Sequence, residues 1–375
     1  MKQSKGYSYL IVSEASSYSR NANAYQKIRL VADILGANIL IPKGCRQWLP
    51  SEYRDHKAVI ELNASRFAPV LYFRAVLFAR KSDNILLLSV SNEITLFCAW
   101  ICSWFRRVIL FCWDPPGVSR RDETQILSRL RCQLMDMLMS WAVRCSNGLV
   151  MNLHPGFCER FCQSVRKKIW HFPNGTDVAY NRECAKGVAR VPYRLAVNSA
   201  FAANKGCWNI ARVYVDLWKK NNSVSLIWVG AGSAREAIKS YFCQNGIKEA
   251  SFELGFFDHK SAIRKLATGS MALCMYENVP SLRWNYVLKA PEFLSLGIPI
   301  VAPRLPGVSQ YVIDGSNGYL YDNEDEIVDT ILDCFASRER IDQLRSSALK
   351  TSEAFDWVDI NATIARKLYS QRGVQ

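Results

Sequence analysis

Histidine is scarce in this 375-residue sequence: four copies, His56, His154, His171 and His259, stand far apart. Cysteine is common, yet none of its thirteen copies forms a Cys-x-x-Cys pair. Together these gaps argue against a zinc site. The thiols are odd in number and scattered, several of them inside apolar stretches (Cys98, Cys102, Cys112, Cys145). They read as small buried hydrophobes in a reducing compartment. Long apolar runs are missing too. The most apolar stretch, residues 94–105, ends at Arg106-Arg107, well short of the roughly 20 residues a membrane span needs. The start of the chain reaches a strand-like run at residues 7–12 without a long apolar h-region, so no signal peptide is expected.

What is present is an ordinary folded composition, 49% apolar and 22% charged, with a formal net charge of +15. That length favours two domains over one core. The charge is uneven: residues 1–185 carry 25 Lys and Arg against 14 Asp and Glu, and the remainder 23 against 19. Nucleic acid, an anionic membrane surface or an acidic substrate would each answer such a surplus. No recognisable nucleic-acid module accompanies it, which argues against the first. Residues 94–105 read as a buried helix feeding the next strand. Their four aromatics (Phe97, Trp100, Trp104, Phe105) beside two arginines also suit contact with lipid head groups.

Strand-like runs alternate with helical periodicity along most of the chain. Strands are expected at residues 7–12, 38–41, 85–88, 108–113, 148–152 and 168–172, then at 194–197, 225–229, 250–254, 271–275 and 299–302. Helices are expected at 22–35, 93–104, 122–145 and from Pro155, then at 208–219, 234–245, 260–267, 286–296, 324–335 and 355–369. Such alternation implies α/β architecture with parallel sheets built from βαβ units. The turn formers in Phe172-Pro-Asn-Gly-Thr-Asp177 break the rhythm before a polar stretch. The expected organisation is therefore a first domain over 1–185, a second over 186–355 and a terminal helix in 356–375.

The most informative segment runs from Lys289-Ala-Pro-Glu through Gly-Ile-Pro-Ile-Val-Ala-Pro303, Gly307 and Asp314-Gly-Ser-Asn-Gly318. A short helix carries Lys289 and Glu292 one turn apart, and a tight turn and a buried strand follow. The two side chains share a helical face, so they either pair with each other or work on a ligand. In the second case Lys289 reaches phosphates and Glu292 accepts hydrogen bonds from ribose hydroxyls, in a crevice that the glycine turns also approach. Open α/β sheets bind ligands in crevices at the carboxyl ends of their strands, and this pair suits a nucleotide diphosphate-sugar. Lys205, in Asn-Lys-Gly-Cys-Trp208, either neutralises a departing diphosphate or is a solvated loop residue. Val229-Gly-Ala-Gly232 opens a helix after a strand, so amides near Gly230 and Gly232 either receive a phosphate or form a plain tight turn. Arg235 replaces the third glycine of the dinucleotide fingerprint, which lowers the case for an NAD enzyme. Asp114 closes a strand before two prolines and is a candidate base, or a turn former. His154, in Asn-Leu-His-Pro155, is a candidate for facing the cleft.

Taken in order, Pro-Asn-Gly-Thr-Asp (173–177), Lys-Gly (205–206), Val-Gly-Ala-Gly (229–232), Leu-Gly-Phe-Phe (254–257), Lys-Ala-Pro-Glu (289–292) and Asp-Gly-Ser-Asn-Gly (314–318) resemble GT-B glycosyltransferases. The likeness is strongest to the glycosyltransferase group 1 set that builds bacterial surface polysaccharides. It implies two Rossmann-like domains facing across a cleft and a last helix returning to the first domain. It also implies a nucleotide-sugar donor (UDP, GDP or ADP) on the second domain and a glycan or polyprenyl-pyrophosphate-linked acceptor on the first. No cofactor or metal is implied, and the place is the inner face of the cytoplasmic membrane. By position, Glu292 matches the ribose-binding glutamate, Lys289 the phosphate-side lysine and Lys205 the lysine of the Lys-Gly loop. Gly255 and Phe256 match the loop that cradles the base. Two positions depart from the pattern: Trp284 stands where many retaining members carry a second glutamate, and Ala200 where an arginine is usual. Retention is favoured on the likeness of residues 289–300. The alternatives are an inverting, glucuronosyltransferase-like enzyme with Asp114 as base, and a sugar-nucleotide epimerase of the same fold.

Overall fold

The computed structural model describes residues 6–11, 23–64, 68–82, 84–90, 92–112, 126–202, 205–276, 279 and 282–371. Among these the chain divides into two compact units, one of residues 1–173 with the C-terminal segment from Val358, the other Asn174–Trp357.

In the first unit, strands β1 (Tyr7–Leu10), β2 (Asn38–Pro42), β3 (Val59–Leu62), β4 (Ile85–Ser89), β5 (Val108–Cys112), β6 (Gly148–Met151) and β7 (Ile169–His171) form one sheet in the order β3-β2-β1-β4-β5-β6-β7. Its helices are α1 (Asn23–Arg29), α2 (Ala68–Ser82), α3 (Glu93–Phe105), α4 (Ile126–Cys145) and α5 (Gln163–Arg166). Every strand pair is parallel. Central strands such as β5, Val-Ile-Leu-Phe-Cys, are buried along their whole length, as expected for a sheet covered on both faces.

The second unit repeats the plan. Its strands are β8 (Arg194–Asn198), β9 (Ser225–Val229), β10 (Phe252–Gly255), β11 (Met271–Leu273), β12 (Ile300–Pro303) and β13 (Gly318–Tyr321), ordered β10-β9-β8-β11-β12-β13. Helices α6 (Val178–Ala185), α7 (Cys207–Lys220), α8 (Arg235–Gln244), α9 (His259–Leu266), α10 (Lys289–Ser295), α11 (Pro306–Ser309), α12 (Glu326–Ala336) and α13 (Arg338–Glu353) accompany them. Alternation along the strands builds a core on each face. Leu195, Val197, Leu226 and Trp228 join Tyr214 and Phe242 on one side. Ala196, Ile227 and Val229 join Ile263, Phe293 and Leu294 on the other.

The last helix, α14 (Trp357–Ser370), packs into the first unit. Tyr7 Oη donates to the Leu368 carbonyl at 2.6 Å, Asn361 Nδ2 to Gln26 Oε1 at 3.1 Å, and the Lys367 ammonium lies over the Trp170 ring.

The division falls at Pro173/Asn174 rather than after residue 185, because α6 packs onto the second unit. Asn181 Nδ2 donates to Thr176 Oγ1 (2.7 Å) and to Ser295 Oγ on α10 (2.9 Å), and Asn174 Nδ2 donates to the Tyr286 carbonyl (2.6 Å). Residues 155–160 form a 3-10 turn rather than an α-helix, and the first helix continues beyond Arg29 as a π-helical turn over Leu30–Ile34. Six of these elements had no sequence expectation: β3, α2, α6, α11, β13 and α13.

Candidate active site

In both sheets the strand order reverses beside the first strand, and the crevice outside the carboxyl ends at such a point is where α/β sheets take ligands. In the second unit this point lies between β8 and β11. Its floor is tied together by backbone. The Ser199 amide donates to the Val229 carbonyl (3.1 Å), the Phe201 amide to Ala231 (2.9 Å) and the Gly230 amide to Gly255 (2.8 Å). The segments following β8, β9 and β10 are thereby fastened to one another.

Gly230 and Gly232 are explained by that fastening. A Cβ on Gly230 would stand 2.0 Å from the Ser199 carbonyl oxygen, and one on Gly232 2.3 Å from that of Phe201. The glycines admit a neighbouring backbone, whatever their amides do for a phosphate.

Glu292 is 4% exposed, and a carboxylate so buried needs partners. Asn198 Nδ2, at the carboxyl end of β8, donates to its Oε2 at 2.8 Å, and His259 Nε2 lies 3.4 Å from its Oε1. The His259 ring stacks on Tyr180 with centroids 5.5 Å apart and planes inclined by 3°. His259 owes its place to a cap: Asp258 Oδ1 accepts the Ser261 amide, so α9 starts at the histidine. Helix α10 is fixed at its far end by Gly297 at φ +63°. There Ile298 N–H bonds to the Phe293 carbonyl and Gly297 N–H to Leu294, the paired bonds of a Schellman cap.

Lys289 does not pair with Glu292: among the described residues no ion pair joins them, and the carboxylate goes to Asn198 and His259. The ammonium is felt instead at Cys274, just beyond β11. Burial pushes that thiol up to about 12, against the opposing pull of the Lys289 charge. Lys205 is exposed, and Gly206 beside it takes φ +68° with its open side 3.7 Å from the Met275 carbonyl oxygen. Lys289 and the Gly206 turn therefore border the segment that leaves β11. Gly255 packs against the Phe257 ring, while Phe256 is 74% exposed. Among the described residues no group of three His, Cys, Asp or Glu side chains is placed to hold a metal ion.

One expectation changes. The Gly315–Gly318 turn does not border this crevice: Gly318 pairs with Ile300 at the amino ends of β13 and β12, at the opposite edge of the sheet. Asp314 braces that region, with Arg304 Nη2 donating to its Oδ2 at 2.7 Å and the Leu320 amide to its Oδ1. Tyr180, Asn198 and His259 also join the site without having been singled out. The sequence signal was the Asp-x-x-Ser cap at 258–261. In the first unit His154 follows β6 and caps a 3-10 turn, its Nδ1 accepting the Gly156 amide at 3.2 Å. Burial lowers its pKa below the usual range, against a smaller opposing effect from Glu159. Asp114 lies outside the described residues.

Residues 192–337, which include Asn198, Lys205, His259, Lys289 and Glu292, match the family model described as Glycosyl transferases group 1. This segment is similar to group 1 glycosyltransferase domains. The fold extends over the whole chain. HepE of Anabaena, solved in complex with UDP, is similar with a TM-score of 0.72 at 18% identity, over 97% of this chain and 100% of its own. Sucrose-phosphate synthase of Thermosynechococcus elongatus gives 0.66 at 16% identity, over 98% of both. The pneumococcal O-GlcNAc transferase GtfA, solved with UDP and GlcNAc, gives 0.59 at 13% identity, over 80% of this chain and 60% of its own. These likenesses show a GT-B type fold. An uncharacterised glycosyltransferase of Methanocaldococcus jannaschii is 24% identical over 147 residues, 38% of this chain and 39% of that relative's length. The matched segment thus holds every donor-side residue named from the sequence.

Proposed function

We propose that this chain is a glycosyltransferase that moves a hexose-type sugar from a nucleotide sugar to a glycan or lipid-linked oligosaccharide during cell-surface polysaccharide synthesis. The observation that carries the reading is Glu292, buried yet oriented by Asn198 at 2.8 Å, with Lys289 unpaired to it one turn away. A carboxylate can accept several hydrogen bonds at once, so Glu292 retains capacity for ribose hydroxyls. Lys289 and Lys205 meet the diphosphate, and their charge counts most as the anomeric carbon–oxygen bond breaks and the leaving phosphate gains charge. Gly255 and the exposed Phe256 ring border the base. In this scheme the two ammonium groups take the part a metal would otherwise play, so no metal is required. A UDP-linked donor is favoured by the UDP bound to HepE and GtfA.

In the transfer step the acceptor oxygen replaces the phosphate oxygen at the anomeric carbon. The hydroxyl proton passes to the departing diphosphate, with retention of configuration. The basic first unit suits a pyrophosphate-linked acceptor at the anionic inner leaflet, consistent with a peripheral protein. Among the described residues no helix is long and apolar enough to cross a membrane.

The test is a thermal-shift panel of UDP, GDP, ADP and their sugars. The preferred nucleotide stabilises the wild type, and Lys289→Ala, Glu292→Ala and Glu292→Gln abolish that shift without unfolding the protein. Retained shifts in all three remove the site assignment. Product analysis with and without acceptor separates transfer from epimerisation, and proton NMR of the product reads its configuration.

A further inference from the structure

The first unit carries an apolar face that its core does not use. Ile94, Phe97 and Trp104 on α3, and Leu130, Leu134 and Trp141 on α4, are all exposed, Trp104 by 60% and Leu130 by 55%. The buried sides of these helices are different residues: Leu96, Ala99 and Cys102 on α3, and Met135, Met139 and Val143 on α4. The exposed residues are also continuous across the two helices. The Trp100 ring lies 5.7 Å from Phe97, 4.9 Å from Trp104 and 5.6 Å from Trp141 across on α4. Monomeric soluble proteins rarely expose a joined apolar patch of this kind without an interaction to cover it.

The charge around the face selects the partner. Helices α2, α3 and α4 carry six Lys and Arg against two acidic residues. Both acids are already neutralised, Glu93 by Arg131 and Asp136 by Arg160 at 3.6 Å. Arg106 and Arg107 follow α3 directly. Two copies of the chain meeting through this face would bring like charges together, which is unfavourable. An anionic bilayer meets both requirements: tryptophan and aliphatic side chains enter the acyl boundary while the arginines stay among head groups.

We infer that the α3–α4 face is a docking surface for an anionic lipid bilayer, with both helices lying in the interface plane. The inference stands on the first unit alone and does not depend on the transferase reading.

The full chain is sedimented with vesicles of equal parts phosphatidylglycerol and phosphatidylethanolamine, and with phosphatidylcholine vesicles, at low and high salt. Binding to the anionic vesicles that weakens with salt is expected. The surface variants Trp104→Glu and Leu130→Glu each lower the partition coefficient by at least about tenfold, the scale for withholding one large apolar side chain from lipid. Their circular dichroism and thermal shift with UDP stay as in the wild type, so this test and that of the proposed reaction fail separately. Three results overturn the inference. They are a wild type that sediments with neither vesicle, variants that bind as well as wild type, and a wild-type oligomer that Leu130→Glu splits into monomers.

Discussion

At the scale of single residues, the second unit holds two groups with different demands. Glu292 is buried and depends on neighbours, so Asn198→Ala removes a hydrogen bond from a carboxylate shielded from bulk solvent. The expected loss is about 1–3 kcal/mol in stability, measured by urea denaturation, together with weaker nucleotide binding in calorimetry. Gly230 makes a different demand. Its absent Cβ would overlap the Ser199 carbonyl oxygen at 2.0 Å, and backbone yields less readily than a side-chain end. Gly230→Ala therefore destabilises by about 2–3 kcal/mol. Gly187→Ala, where nothing lies within 4 Å but φ is +73°, costs about 1 kcal/mol from conformation alone. Comparing the two denaturation midpoints separates close approach from backbone strain. Asp314 gives a pH signature. Burial raises its pKa, but Arg304 and the Leu320 amide outweigh that effect and hold it below the ordinary carboxylate value. A depressed carboxyl stabilises the fold above its unfolded pKa of about 3.9. That contribution disappears as pH falls through the folded value. Asp314→Asn flattens the acid limb of stability against pH and leaves the neutral limb sloped as before.

At the scale of elements, amphipathic segments were legible and polar or interrupted ones were not. Helix α7 follows its period closely, with Ile210, Tyr214 and Leu217 turned inward, and its expected span of 208–219 differs little from Cys207–Lys220. Helix α13, Arg-Glu-Arg-Ile-Asp-Gln-Leu-Arg onward, has few apolar residues and buries Ile341, Leu344 and Ala348. Its stability comes from packing on α10, which no local pattern reports. Strand β13 was hidden by the glycine turn that introduces it. The identity of α14 as part of the first unit is the element-scale finding with the clearest consequence. Tyr7→Phe, which removes the 2.6 Å bond to the Leu368 carbonyl, lowers stability by about 1 kcal/mol. Ending the chain after Trp357 removes Ile364 and Leu368, which are fully buried, and uncovers the apolar surface of the first unit on which they pack. It then makes the first unit protease-sensitive while the second stays resistant, as limited proteolysis will read.

At the scale of the whole molecule, two units with separate cores allow separate unfolding. The proposed donor site lies wholly within Asn174–Trp357. A nucleotide at a hundredfold excess over its Kd should raise the stability of that unit by about 2.7 kcal/mol. Two calorimetric transitions are expected, and UDP moves one of them. A shift of both by equal amounts would place the site elsewhere.

The sequence by itself determined the alternation of strand and helix, the parallel sheets, and the short helix that carries Lys289 and Glu292, because periodicity, turn formers and an isolated charge in an apolar helix are local properties. Only the tertiary structure decided that Glu292 is held by Asn198 and His259 and not by Lys289. It also decided that the Gly315–Gly318 turn belongs to the far edge of the sheet, and that α6 leaves the first unit while α14 returns to it. Each of those outcomes depends on which strands become neighbours, and strand order is set by the burial of both sheet faces together rather than by any one stretch of residues.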